Sequence, residues 1–423
     1  MSEVLRLMRG NVLVLTVCSV LWRMSIDIIW PFLSLYVMAL GGEYETVGQV
    51  MAVGNLASMV LYPLGGYLAD YQGRIKVMAY MTFVYSGTFL IFVFTESWQW
   101  VAVGMFMQSL VTFYIPAMQA LMADSIPAGS RGLGFAATMA IPGAFGVASP
   151  LIGGWFIDMY GVKPAVKGLY ALGFFVALIV ATLRLRYLKE TLDRRDEGVR
   201  ITVGNVPHLL MESYRNVVTT LRTAPRDLVK LGLLVSLATF SVSLVSPFWI
   251  VRATEVIGLD TRQWGLLALV VGSINVVLSF PAGRLVDRLS RRRVAGLCLM
   301  ACAVPCLLFL RATSFTDVAL VLAASAIPNT FINPAIQSLF TDMAPRSKRG
   351  RLIAAIGGGG VWVTSGAWAT GIVAMASITL GTFLSGYLYR LDHSLPWVVL
   401  SAAVFVTGLL VLLLVKEPRE IEA

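Results

Sequence analysis

Long apolar runs separated by short polar breaks set the pattern of this chain. Residues 77–95, 167–183 and 398–415 hold almost no charge, over about the length that crosses a bilayer core of roughly 30 Å. A water-soluble domain would expose or strand such runs, so run length outweighs periodicity as a signal. Read between polar breaks, the runs predict twelve helices at about 11–38, 46–68, 77–95, 99–123, 133–157, 167–187, 229–252, 263–285, 294–311, 316–341, 352–388 and 396–415. These are called helices 1 to 12 below. The longest polar stretch, about 189–228, divides them six and six. Within it Leu210, Tyr214, Val217 and Leu221 recur at helical spacing, which predicts an amphipathic helix on the membrane surface or against the bundle. The expected units are an N-terminal six-helix bundle (1–188), a cytoplasmic linker with that amphipathic helix (189–228) and a C-terminal six-helix bundle (229–423).

Composition agrees with a membrane protein. Apolar residues make up 57% of the chain and charged residues 13%, about half the usual share in a soluble domain. The formal net charge of +10 does not point to nucleic acid, because the basic residues lie between apolar runs, where they act as topology signals. With the N-terminus inside, few of the 33 Lys and Arg fall elsewhere: Lys163, Lys167, Arg252, Arg262, Arg311 and Arg390 lie outside, and Arg23 lies within a helix. Both termini are therefore expected to be cytoplasmic, in a multi-pass protein of the cell membrane whose first helix is retained rather than cleaved. Cys298, Cys302 and Cys306 share one helical face and, with Cys18, read as small packing residues.

The chain repeats itself. Residues 116–132, PAMQALMADSIPAGSRG, align with 334–350, PAIQSLFTDMAPRSKRG, with eight of 17 positions identical. GYLADYQGR at 66–74 and GRLVDRLSR at 283–291 share Gly, Leu, Asp and Arg, and Pro31-Phe32 matches Pro247-Phe248. Parallel repeats of six helices are a transporter design. The 66–76 loop, with Gly66, Leu68, Asp70, Gly73, Arg74 and Lys76, resembles the loop between helices 2 and 3 of the major facilitator superfamily. A degenerate copy follows helix 8 at Gly283, Leu285, Asp287 and Arg291. The resemblance covers nearly the whole chain and implies an all-α membrane protein of twelve transmembrane helices in two pseudo-symmetric six-helix bundles. It also implies that Gly66, Asp70, Gly73, Arg74, Asp124 and Arg131, with Gly283, Asp287, Arg291, Asp342 and Arg349 in the second half, form a cytoplasmic gate that latches the halves and breaks during transport. On physical grounds Gly66 permits close approach, Asp70 can accept from helix N-terminal N–H groups, and Arg74 can reach Asp70 or Asp124.

Two charges stand well inside an apolar run, Arg23 and Asp27 of helix 1. Ionisable groups at membrane depth are costly, so they carry a functional hypothesis by default. Their four-residue spacing puts them on one face, continued by Thr16, Ser19 and Ser34, with Trp30 nearby. Polar stripes also mark helix 4 (Gln108, Thr112, Gln119), helix 7 (Ser236, Thr239, Ser243, Ser246) and helix 10 (Ser325, Asn329, Asn333, Gln337). In the resembling family these four helices line the central cavity. Ser19, Trp30, Ser34, Gln108, Thr112, Thr239, Ser243, Asn329 and Asn333 are thus the expected lining. Asp27 is the candidate for proton coupling and substrate binding, because one carboxylate can hold either a proton or a cationic substrate. Paired with Arg23 it could instead be a fixed salt bridge. The aligned second-half positions, Thr239 and Ser243, are uncharged.

Helix 5 carries Gly146, Pro150, Gly153 and Gly154, similar to the glycine-proline pattern of the family's drug:proton antiporters, with Ser149 where a Gly is expected. Pro150 removes a helix hydrogen bond and the small residues allow close packing, so a hinge or packing seam is expected. Those antiporters often carry an Arg in helix 4 where this chain has Met105. The 37-residue run from Leu352 to Leu388 would span roughly 55 Å as one helix. The repeat offset places about 14 extra residues there, and Gly357–Gly360 should break the helix as a surface loop or kink. His208 and His393 fall in loops, and neither a catalytic constellation nor a nucleotide-binding loop is present in the sequence. No enzyme, cofactor or metal is expected. The leading reading is a monomeric, proton-coupled exporter of small, partly apolar and cationic compounds. The alternatives are an importer or facilitator with Arg23 holding an anionic group, and a non-transporting membrane sensor.

Overall fold

A computed structural model describes residues 7–71, 74–127, 130–191, 206–344, 371–417 and, between the last two, 352, 355–357, 359–363 and 366–369. Side chains are described for these except at 62–71, 116, 131–132, 206, 213, 280, 359–360 and 366–369.

The first half holds helix 1 (Gly10–Asp27, then Leu33–Ala39), helix 2 (Tyr44–Tyr71), helix 3 (Arg74–Phe94), helix 4 (Trp98–Leu110, then Ile115–Ser125), helix 5 (Arg131–Gly146, then Ser149–Tyr160) and helix 6 (Val162–Tyr187). The second holds helix 7 (Arg226–Val245, then Trp249–Glu255), helix 8 (Thr261–Arg288), helix 9 (Arg291–Leu308), helix 10 (Phe315–Met343), helix 11 (Ile372–Leu391) and helix 12 (Leu395–Leu414). These are twelve transmembrane helices in two six-helix bundles. Eleven are long and apolar enough to cross a membrane by composition alone. Helix 2 is the twelfth, with polar Glu45, Gln49 and Asn55 in its first half. Exposed apolar side chains recur at helical spacing, as at Leu172, Phe175 and Ile179 of helix 6, the surface that lipid covers in a membrane protein.

Proline explains the breaks. Pro31 and Pro247 sit at the start of matching 3-10 turns, Trp30–Phe32 and Ser246–Phe248, which interrupt helices 1 and 7 at equivalent places. A proline supplies no N–H to the preceding turn and its ring crowds the carbonyl there. Pro116 likewise follows a 3-10 turn, Val111–Tyr114, in helix 4. Its repeat partner Pro334 is accommodated inside an unbroken helix 10.

The linker helix spans Val206–Arg222. Its Leu209 is buried, and the Tyr214 hydroxyl donates to the Met59 carbonyl of helix 2 at 3.0 Å.

Helix 11 departs from expectation. It begins at Ile372, not near 352. The preceding glycine-rich stretch forms an antiparallel two-stranded ribbon, β1 (Gly359–Trp362) paired with β2 (Gly366–Ala369), Val361 opposite Ala367. Leu352, Ala355 and Ile356 before it are helical, so among the described residues a ribbon, and not a plain loop or a single kink, separates the two helical parts. Gly357, at φ 140°, makes the entry turn in a region closed to other residues.

The halves meet near the face opposite the chain termini, where backbones touch. A Cβ at Gly154 would overlap the Thr261 carbonyl, and one at Gly386 the Tyr44 carbonyl. Helix 5 there crosses helix 8, and helix 2 crosses helix 11, as small residues permit. Polar contacts lie on the same side: Arg390 to Glu45 (2.6 Å) and Glu43 (3.2 Å), Tyr44 hydroxyl to Glu255 (2.8 Å), and Gln49 to the Tyr387 hydroxyl (2.8 Å).

Candidate functional site

Arg23 and Asp27 lie one turn apart on helix 1, and the Arg23 Nε donates to Asp27 Oδ2 at 2.6 Å. Their side chains are 59% and 27% exposed, so the pair borders an open space. Helix 5 backs it at Gly146. A Cβ there would come within 2.7 Å of Arg23 Cγ and 2.8 Å of Asp27 Oδ2. Gly146 is thus the seat of the ion pair. Gly153 sits one crossing further along, where a Cβ would overlap the Ile28 carbonyl. The break in helix 5 falls between Gly146 and Ser149, with Pro150 in the first turn of the second segment. Pro150 carbonyl and Leu151 also face Gly265 of helix 8.

The expected lining residues have different environments. Trp30 is 49% exposed and Ser34 is buried. Ser19 is half-buried. Gln108 is buried, and its Nε2 has no partner among the described residues. Thr112 donates to the Ser109 carbonyl at 2.7 Å. Thr239 and Ser243 are buried, and each hydroxyl donates to its own preceding turn, at Ser236 (3.0 Å) and Thr239 (2.7 Å). Gly381 of helix 11 packs on Ser243, so this part of helix 7 is a packing seam here. Asn329 and Asn333 accept from the ribbon: Val363 N–H to Asn329 Oδ1 at 3.0 Å, and Val361 N–H to Asn333 Oδ1 at 2.6 Å.

The gate residues form pairs within each half. Arg74 bonds Asp124, joining helices 3 and 4, and Arg291 bonds Asp342, joining helices 9 and 10. Asp287 is exposed, and a Cβ at Gly283 would meet nothing, so no close approach requires that glycine here. Gly73 and Arg349, and the side chains of Gly66, Asp70 and Arg131, lie outside the described residues.

Sequence reasoning missed four residues. Glu190, just after helix 6, accepts from Ile75 N–H at the start of helix 3 (3.2 Å). Glu417, just after helix 12, accepts from Arg291 N–H (2.8 Å) and Ser290 Oγ (2.6 Å) at the start of helix 9. A carboxylate at a helix N-terminus is favoured by the unpaired N–H groups. The repeated Lys-Glu at 189–190 and 416–417 was the available signal. The other two are buried arginines. Arg184 donates to Thr82 Oγ1 at 2.7 Å between the Trp22 and Tyr114 rings. Arg252 donates to the His393 and Leu310 carbonyls, both at 3.1 Å, beside Trp397. Near helix ends they read as topology residues, because long side chains reach inward from there. Among the described residues, no three His, Cys, Asp or Glu side chains gather as metal ligands would.

Two six-helix bundles, joined by a linker and broken at matching prolines around a membrane-depth ion pair, define a multi-pass transporter fold. The chain belongs to the Major Facilitator Superfamily, whose family profile matches residues 15–221 and 231–423. Among curated proteins it is similar to the multidrug resistance protein MdtG of Dickeya zeae (strain Ech586), 29% identical over 295 residues, 64% of each chain. It is also similar to MdtG of Enterobacter lignolyticus (strain SCF1), 25% identical over 343 residues, 78% of this chain and 77% of that one. The matched region thus spans just under two thirds of the Dickeya protein. Among solved structures, the nucleoside transporter NupG aligns over 96% of this chain and 100% of its own, with TM-score 0.71 and 13% identity. The D-xylose-proton symporter aligns over 96% and 97%, with TM-score 0.66 and 15% identity. At such identities these show the fold alone.

Proposed function

We propose that this protein is a secondary active transporter that exports small, partly apolar compounds, cations among them, in exchange for protons by alternating access. The observation that carries the reading is the Arg23–Asp27 pair, partly open and seated on Gly146 inside the membrane span. A charge pair at that depth calls for a role. A proton or a cationic substrate can take the place of Arg23 at the Asp27 carboxylate, and the two cannot occupy it together. That exclusion is the core of an antiport cycle. Relatives named for multidrug resistance support export of small compounds. The moving units are the bundles 1–188 and 229–423, joined by 189–228, with both termini in the cytoplasm and a monomer in the cell membrane. Contacts between the halves at the face opposite the termini suit a state open toward the cytoplasm. The latch through Arg74, Asp124, Arg291 and Asp342, with Gly66, Asp70, Gly73, Arg131, Gly283, Asp287 and Arg349, would bridge the halves only in the opposite state. In vesicles with an imposed pH gradient, the protein is expected to drive efflux of ethidium. Asp27→Asn should abolish the gradient dependence in a folded protein. Retained gradient-driven efflux in that variant contradicts the assignment.

A second reading has its own support. Arg23 is more exposed than Asp27, so it could hold an anionic group in an importer or facilitator. Arg23→Ala separates the two: cation efflux survives it under the first reading, and anion uptake is lost under the second.

A further inference from the structure

The β1 strand runs beside helix 10 deep in the bundle. Val361 and Val363 are almost wholly buried, and Asn329 is fully so. Two amides, one in β1 and one just after it, bond helix 10. β1 pairs with β2 along its length, while the N–H groups of Val361 in the strand and of Val363 just after it donate to Asn333 and Asn329. The spacings match. Two strand residues advance about 6.6–6.8 Å, and the four residues between the asparagines rise about 6 Å. Strand number rises as helix number falls, so β1 lies antiparallel to helix 10.

Irregular backbone at membrane depth is tolerated only where protein buries it or where it lines a cavity. In transporters an interrupted helix is a pointer to the binding site. Here helix 11 is interrupted, and what replaces its first part covers two asparagine side chains of helix 10. The cover is incomplete. Asn329 Nδ2 is buried without a partner among the described residues, and a buried unpaired donor costs about 1–3 kcal/mol. The entry to β1 is Gly357 in its positive-φ conformation, a joint that other residues do not easily make.

We propose that β1 is a built-in stand-in for substrate. The amides of Val361 and of Val363, the residue after the strand, occupy the Asn333 and Asn329 carboxamides, which are the second half's substrate-binding groups, and the strand withdraws when a substrate takes them. The ligand class follows from the two carboxamide oxygens, which are acceptors: compounds with N–H donors, amines or amides. This assignment rests on the transport reading, since it gives the second half of the cavity its recognition chemistry.

The test uses the full-length protein with Cys18, Cys298, Cys302 and Cys306 replaced by serine and with Val361→Cys added together with Ile336→Cys, a buried position one turn along the same face of helix 10 as Asn333. Ethidium efflux from vesicles is compared with the two thiols joined by a short bis-thiosulfonate and after reduction of the same sample. The joined form is expected to be at least tenfold slower, with no response to the reagent in either single-cysteine protein. Equal rates, joined and reduced, would overturn the proposal, because β1 would never need to leave. A second measurement does not depend on transport. Deuterium exchange at the Val361 and Val363 amides of the unmodified chain should rise at least fivefold with ethidium, which carries two aromatic amines. It should not rise with tetraphenylphosphonium, a cation without N–H groups. An equal response to both, or to neither, overturns the assignment. Absent efflux in the reduced protein, with the exchange response intact, counts against the transport reading and leaves the strand assignment standing.

Discussion

The same scaffold position has opposite contents in the two halves. In the first, helix 1 presents a charged and partly open pair, Arg23 and Asp27, against the bare backbone of Gly146. In the second, the aligned Thr239 and Ser243 of helix 7 are neutral, buried and bonded to their own helix. The polar groups of helix 10 are covered by β1. What the halves share is mechanical: matching Pro-Phe breaks, matching Arg–Asp pairs and a glutamate at the start of helices 3 and 9. The two halves have kept their helix breaks, Arg–Asp pairs and glutamate caps alike, while the polar groups of helices 1 and 7 differ.

The sharpest way to break this contrast is to fill the seat of the pair. Gly146→Leu would push a side chain into Arg23 and Asp27 and should slow ethidium efflux at least tenfold, with an overpacking cost of about 1–3 kcal/mol. The equivalent helix 11 position is Ile378, which packs with Ala374, Met375 and Met59. Ile378→Leu should change efflux less than twofold. Similar losses from both would erase the asymmetry. A smaller effect concerns the shared parts. Glu417→Gln should cost about 1 kcal/mol in thermal unfolding, and Glu190→Gln less, because Glu417 accepts two bonds at the start of helix 9 and Glu190 one at helix 3. The reverse order would contradict this account of the caps. Smallest of all, Arg390→Ala should change stability by about 0–1 kcal/mol, as exposed pairs do, since the Arg390 side chain is 62% exposed. A larger loss would mean that contacts on the closed face are cooperative.

Run length made the twelve helices legible, because the bilayer fixes how long an apolar segment must be. Arg23 and Asp27 were legible for the same reason: charge stands out in an apolar run. Which way a polar stripe faces was not. Thr239 and Ser243 carry the periodicity of a lining, yet a hydroxyl in a helix can satisfy itself on the preceding carbonyl. The glycine-rich stretch announced a broken helix through its length, but glycine permits many conformations and does not specify a ribbon. The docking of β1 depends on asparagines about thirty residues away in sequence. Gly146 looked like part of a hinge, and only the position of helix 1 shows that it seats the ion pair.

The central claim is that a proton and a cationic substrate exclude each other at Asp27. Proton release on ligand binding tests it most directly. Purified protein in weakly buffered detergent solution, with a pH indicator, is mixed with saturating ethidium across a range of starting pH. The account predicts release approaching about one proton per bound ligand where Asp27 is protonated beforehand, and none from Asp27→Asn at any pH. Binding without release in the unaltered protein, or undiminished release from the variant, would contradict it.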